Sequence, residues 1–207
     1  KGGVITNAVI IVEDARIERI DSTPSIAATY DLRGLTVMPG MIDTHVHLAW
    51  RFGPDGRYTS SEENPAEAMG YALENAYVTL MAGFTTVPSV GNEIDKDARD
   101  AVARGAFPGA RVSTSLRPVT SRTGTPDQIR EFVRQVAADG ADLIKIFASG
   151  SIRTGGERTL SDEQIAAACG EAKALGWRSM VHAYGADVIE ACARAGCTAV
   201  EHVTFAT

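Results

Sequence analysis

The chain has 207 residues, with 20 Lys+Arg against 26 Asp+Glu, a formal charge of −6, 44% apolar residues and 22% charged ones. That mix supplies enough apolar side chain to offset the ordering entropy of a core, which excludes general disorder. The acidic balance and the lack of a basic tract exclude nucleic acid as the main partner, and no apolar run approaches the ~20 residues that span a bilayer.

Residues 8–12 and 16–20 are β-branched runs joined by Glu13-Asp14-Ala15, a hairpin pattern. In Arg16-Ile17-Glu18-Arg19-Ile20 the apolar residues recur every third position, so strict alternation fails. Residues 22–30 read as a polar connection, 35–38 as a short strand and Pro39-Gly40 as a turn. A boundary follows there: residues 1–38 form a small β unit and 39–207 the main domain.

From residue 41 onward, strand and helix alternate. Asn64 caps a helix with Pro65 at its first position, and Ala68, Met69, Ala72, Leu73, Ala76, Tyr77, Leu80 and Met81 form its apolar stripe. Thr125-Pro126-Asp127-Gln128 and Ser161-Asp162-Glu163-Gln164 have the spacing of capping boxes that open two more helices. A shorter helix covers 96–104, and a last one carries Val188, Ile189, Cys192 and Ala193. The strands between them are 41–47, 84–87, 111–115, 142–147, 179–182 and 198–202. Helices between such strands imply parallel pairing through right-handed crossovers. Both a doubly wound sheet and a (β/α)8 barrel fit that grammar. No Gly-x-Gly-x-x-Gly or phosphate loop follows any strand, which disfavours the nucleotide-binding version. A barrel needs eight strands and ~250 residues, so the barrel reading makes this chain an incomplete one.

The four histidines, His45, His47, His182 and His202, all fall at the carboxyl ends of these strands, where a parallel barrel builds its active site. His45 and His47 are two apart, so on a strand both rings point the same way, and paired imidazoles suit zinc or another borderline divalent ion. Asp43 shares that parity and is placed to accept a ring N–H. Lys145 sits inside Leu143-Ile144-Lys145-Ile146-Phe147, where a charged amine is costly without a partner. Trp50 opens a long loop, 50–61, and further loops at 117–125 and 150–158 carry Arg117, Arg122, Arg153 and Arg158, candidates for a substrate carboxylate. Tyr184 follows His182 by two and lines the same pocket. Three cysteines without metal spacing, Cys169, Cys192 and Cys197, read as small buried apolar residues in a reducing, cytoplasmic setting rather than as a disulfide framework. The chain opens on Lys1 rather than Met, which leaves a leader segment open.

Pro39-Gly40-Met41-Ile42-Asp43-Thr44-His45-Val46-His47-Leu48 resembles the first barrel strand of the amidohydrolase superfamily. Gly83-Phe84-Thr85-Thr86-Val87, Asp142-Leu143-Ile144-Lys145-Ile146, Val181-His182-Ala183 and Val200-Glu201-His202 are similar to later strand motifs of its imidazolonepropionase-like and Xaa-Pro dipeptidase branch. The resemblance implies an incomplete TIM-type (β/α)8 barrel of about six strands, with residues 1–38 forming part of a small β-sandwich. It implies that His45 and His47 bind one metal, that His182 and His202 bind a second, and that Lys145 bridges them as a CO2-derived carbamate. The ions would be two divalent metals, zinc first among them, sharing a hydroxide that attacks an amide bond of a dipeptide or N-acyl amino acid. The family's general-base aspartate comes from the eighth strand and has no counterpart within these residues, so the chain is expected to be an N-terminal fragment, inactive alone. Pro88-Ser89 also departs from the Arg-Asp that many relatives carry after the second strand.

Two other readings stay open. One is a non-catalytic barrel fragment whose two open edges pair with a second copy or a complementary fragment. The other is a one-metal deaminase or an imidazolone-type cyclic amidohydrolase, for which Lys145 would be unmodified.

Overall fold

The computed structural model describes residues 3–23, 27–60 and 64–206. They fall into two units, Lys1–Pro39 and Gly40–Thr207. Part of the predicted 22–30 connection and the end of the 50–61 loop lie outside the described residues.

The first unit is a hairpin of β1 (Val9–Glu13) and β2 (Arg16–Asp21), turning through Asp14 and Ala15 at φ 47° and 62°. Paired left-handed residues match the twist of a two-residue hairpin turn. Ile11 faces Arg19 while Val12 faces Ile17, so Glu18 is an extra residue, a bulge. The bulge accounts for the every-third apolar spacing: one inserted residue returns Ile17 and Ile20 to the same face. The predicted strand at 35–38 does not form. Among the described residues it has no ladder partner, and an unpaired short strand has nothing to hold its backbone groups.

The second unit opens with β3 (Met41–Ile42), a second hairpin of β4 (Trp50–Phe52) and β5 (Tyr58–Ser60), and α1 (Pro65–Met81). Then follow β6 (Phe84–Ser89), α2 (Ile94–Ala103), β7 (Arg111–Thr114), α3 (Pro126–Ala138), β8 (Ile144–Phe147), α4 (Asp162–Ala174), β9 (Ser179–Gly185), α5 (Ala186–Arg194) and β10 (Ala199–Phe205). β3, β6 and β7 pair in parallel, as do β8, β9 and β10. The Asp142 amide donates to the Thr114 carbonyl at 2.7 Å, and a parallel bridge joins Val119 to Ile146, so the two sheets abut. The described strands form no closed barrel; β3 and β10 are edges.

The predicted first strand, 41–47, is broken. β3 stops at Ile42, and pairing returns only as a bridge between Val46 and Ser89. The Asp43 side chain accepts the His45 backbone N–H at 3.1 Å, a local turn that competes with the ladder. Gly40 opens this segment because a Cβ there would lie 2.1 Å from Thr85 Cγ2.

Helix starts follow the sequence signals. The Asn64 side chain accepts from the Ala66 and Glu67 amides, and the reciprocal boxes of Thr125 with Gln128 and Ser161 with Gln164 both form. Ala68, Ala72 and Ala76 are buried along α1, where small side chains let the helix approach β6 closely. A larger core of Val119, Ile129, Val133, Ile146, Ile165 and Val181 packs α3–α5 against β8 and β9. Among the described residues no helix is long and apolar enough to cross a membrane.

The cysteine expectation is overturned. Cys169 on α4 and Cys197 before β10 form a disulfide with Cα atoms 5.1 Å apart, leaving Cys192 as a buried free thiol. The two are 28 residues apart in sequence and meet because α5 returns alongside α4. The cysteines therefore do not argue for a reducing compartment.

Candidate metal centre

The carboxyl ends of the parallel strands bring His45, His47, Lys145, His182 and His202 to one place. The His45 ring lies 5.1 Å from that of His47 and 5.2 Å from that of His202, and the His182 and His202 rings are 4.6 Å apart. Lys145 Nζ is 3.2 Å from His45 Nε2. Lys145 is fully buried, with its ammonium end 5.2 Å from the centre of the Phe147 ring.

Elimination fixes which ring nitrogens are bare. His47 Nδ1 lies 2.7 Å from the Val90 carbonyl, which can only accept, so Nδ1 carries the proton and Nε2 has a free lone pair. His182 Nε2 likewise donates to the Gly150 carbonyl at 3.1 Å, which leaves its Nδ1 bare. His202 Nε2 then donates to that Nδ1 at 3.0 Å. His45 Nδ1–H donates to the Glu201 carboxylate at 3.1 Å, so His45 Nε2 faces Lys145 as an acceptor.

Charge is scarce here. Burial pushes His45, His47 and His182 down to about 4, and lowers His202 as well. Burial also lowers Lys145 to about 8, against the opposing pull of Glu201. The neutral imidazoles are the form that ligates metals.

The backbone of β10 explains how Glu201 and His202 both reach the site. Neighbours on a regular strand point to opposite faces. His202 and Val203 take φ of 73° and 47°, and the pairing with β9 shifts register between His202 and Phe205. The bulge turns His202 inward beside Glu201, and such strained residues concentrate at functional sites.

As positioned, the nitrogens are joined to one another. Among the described residues no group of three or more His, Cys, Asp or Glu side chains closes to metal-holding distance. The chemistry of the donors, rather than their present spacing, suits a divalent ion. His45 Nε2, His47 Nε2 and His182 Nδ1 are bare, each with its other nitrogen anchored, and Lys145 and His202 need only give up their contacts to His45 and His182.

Asp43 accepts the His45 backbone amide. Tyr184 is buried, stacks on His202 at 5.0 Å and meets the edge of His182 at 4.8 Å. Gly156 makes that packing feasible, since a Cβ there would sit 2.9 Å from Tyr184 Cβ. Arg117 pairs with Asp139 and Glu93, and Arg158 with Asp162 and Asp187, so both guanidinium groups are engaged in ion pairs. Arg153 is exposed on the turn after Gly150, and Arg122 on the turn after β7. Sequence reasoning assigned no role to Glu201 or Phe147, and placed Trp50 only within a loop expected to shape the substrate pocket. Glu201 stood beside His202 in the motif, but regular alternation pointed it away.

Parallel strands joined by helices, with a histidine–lysine cluster at their carboxyl ends, define an α/β protein with a candidate metal site. The amidohydrolase family profile matches residues 36–207, and the chain belongs to that family. It is 25% identical to an ochratoxinase of Aspergillus niger over 99% of this chain and 52% of that protein. It is 28% identical to an imidazolonepropionase of Saccharopolyspora erythraea over 84% of this chain and 44% of that one. The chain thus spans about half the length of these curated relatives. A crystal structure of a Xaa-Pro dipeptidase with bound methionine superposes with a TM-score of 0.85 at 27% identity, covering 96% of this chain and 57% of that one.

Proposed function

We propose that the whole protein is a metal-dependent hydrolase of small-molecule amide bonds, of the dipeptide or N-acyl amino acid type, and that His45, His47, Lys145, His182 and His202 hold its two divalent ions. The observation that carries this reading is the convergence of these five donors, with His45, His47 and His182 each anchored through one nitrogen and turning an unprotonated one toward the others. Likeness to a Xaa-Pro dipeptidase supports amide hydrolysis. Divalent ions bound there, zinc first among them, would activate water at neutral pH and polarise the scissile carbonyl.

The chain's own residues do the rest. Glu201 and the Val90 and Gly150 carbonyls hold the ring protons and so fix which nitrogen of each histidine faces inward. Lys145, buried and easily neutralised, joins as the carbamate formed when its amine adds to CO2 and releases a proton, which supplies an anionic oxygen donor that an amine lacks. Tyr184 walls the pocket beside His202, and Arg153 is the exposed cation placed to meet a substrate carboxylate. The strand edges at β3 and β10 fit a chain that continues into further strands or pairs with a complementary one.

Metal per folded chain, measured by elemental analysis after zinc and bicarbonate loading, tests the reading. Close to two metals is expected, and none would overturn the assignment of the ions to these five donors alone. Likeness to an imidazolonepropionase supports a second reading, ring opening of a cyclic amide with one metal. An intact-mass increase on the order of 44 Da at Lys145 separates the two, because only the first requires the carbamate.

A further inference from the structure

The β4–β5 hairpin follows directly on the His45–His47 segment. Phe52 pairs with Tyr58 and Trp50 with Ser60, so Trp50, Phe52 and Tyr58 share one face. Trp50 stacks on the ring of His47, with centroids 3.7 Å apart and planes 6° from parallel, and Tyr58 meets Trp50 at 4.6 Å. All three aromatics remain open to solvent: Phe52 is 77% exposed, Trp50 44% and Tyr58 39%.

The other face is riveted to α1. Arg51 donates to the Tyr71 hydroxyl at 2.6 Å, lies 4.3 Å over the Tyr71 ring and pairs with Glu67 at 3.5 Å. The Asn75 amide donates to the carbonyls of Leu48 at 2.7 Å and Trp50 at 2.9 Å. The hairpin is thus anchored by its polar face while it presents an aromatic platform. One exposed aromatic needs no explanation, but a contiguous, anchored cluster touching a candidate metal ligand does.

We propose that this face is a substrate subsite for an aromatic or bulky apolar group carried close to the scissile amide. Its occupant is a small molecule because the platform runs without a break into His47, at the reacting centre. Trp50 and Tyr58 supply ring surface, and Phe52 supplies the outer wall. The assignment to a substrate rests on the hydrolase reading above.

The chain has two tryptophans, so in a Trp177→Phe background the emission reports on Trp50 alone. N-acetyl-phenylalanine amide and N-acetyl-alanine amide serve as probes. The phenylalanine probe is expected to shift that emission and to bind roughly tenfold more tightly, as a desolvated ring contact allows. Phe52→Ala and Tyr58→Ala should each erase most of that preference, and Phe52→Tyr should restore it. Equal binding of both probes overturns the proposal. So does unchanged preference in the variants with weakened self-association in sedimentation, which would make the face a contact between copies. Metal content is read on the same samples. Absent metal with the aromatic preference intact removes the hydrolase reading and leaves a ligand-binding face; metal present without the preference removes the subsite alone.

Discussion

His45 Nδ1 lies 3.1 Å from Glu201 Oε2, although the two residues are 156 positions apart. The contact links the segment after β3 to β10, the two edges of the described strands. It also decides what His45 can do, since a ring whose Nδ1 proton is held by a carboxylate offers a more basic Nε2.

Glu201 should therefore matter for metal affinity without itself touching metal. Glu201→Ala is expected to weaken metal binding roughly ten- to hundredfold, the range seen when a ligand's supporting partner is removed. Glu201→Gln, which keeps an acceptor but no charge, should fall between. Competition against a chelator reads both, and a Glu201→Ala affinity equal to that of the parent chain would sink the assignment.

Lys145 offers a cleaner separation of stability from function. It is fully buried, and burial has already lowered its pKa to about 8. Lys145→Met keeps the volume and removes the cost of an amine in an apolar strand. The variant is expected to melt at the same temperature or higher, to hold less metal and to lose the carbamate mass. A variant that retained full metal content would show that the lysine is no ligand.

Much of this arrangement was legible in the sequence, and the parts that were not share a cause. The parallel strand–helix grammar and the caps at Asn64, Thr125 and Ser161 are local signals, and they appear as written. The break after Ile42 comes from one side chain, Asp43, capturing an amide, which strand propensity does not register. His202 joins Glu201 in the site through its own positive φ, a tertiary strain that periodicity cannot reveal. The β4–β5 hairpin was read as loop because its hold on the rest of the unit lies in Arg51 and Asn75 reaching to α1, not in its own pattern.

The Cys169–Cys197 bridge was hidden for the same reason, since only packing brings α4 and the α5–β10 connection together. Closing a loop of 28 residues is worth about 3.6 kcal/mol by restriction of the unfolded chain. Reduction, or Cys169→Ala, should lower stability by about that amount in urea titrations, without changing metal content. An unchanged midpoint under reductant would mean that the bridge contributes nothing in solution.

Asp95, in the first turn of α2, makes a pH prediction independent of any metal. It is completely buried, and neither carboxylate oxygen has a well-formed hydrogen bond among the described residues. Burial raises it from 3.8 to about 7, only partly offset by the Ser89 hydroxyl, whose oxygen accepts the Leu48 amide at 2.9 Å. The folded chain thus keeps a proton that the unfolded chain releases. Stability contributed by that proton is complete below pH ~4 and is lost as pH rises to and through ~7. At ~1.4 kcal/mol per tenfold change, the loss reaches at most about 4 kcal/mol by pH 8. Asp95→Asn, which cannot ionise, should be more stable than the parent at pH 8 and close to it at pH 4. Urea unfolding at the two pH values measures this directly; parallel pH dependence in parent and variant would show that Asp95 finds a partner in solution that keeps it charged.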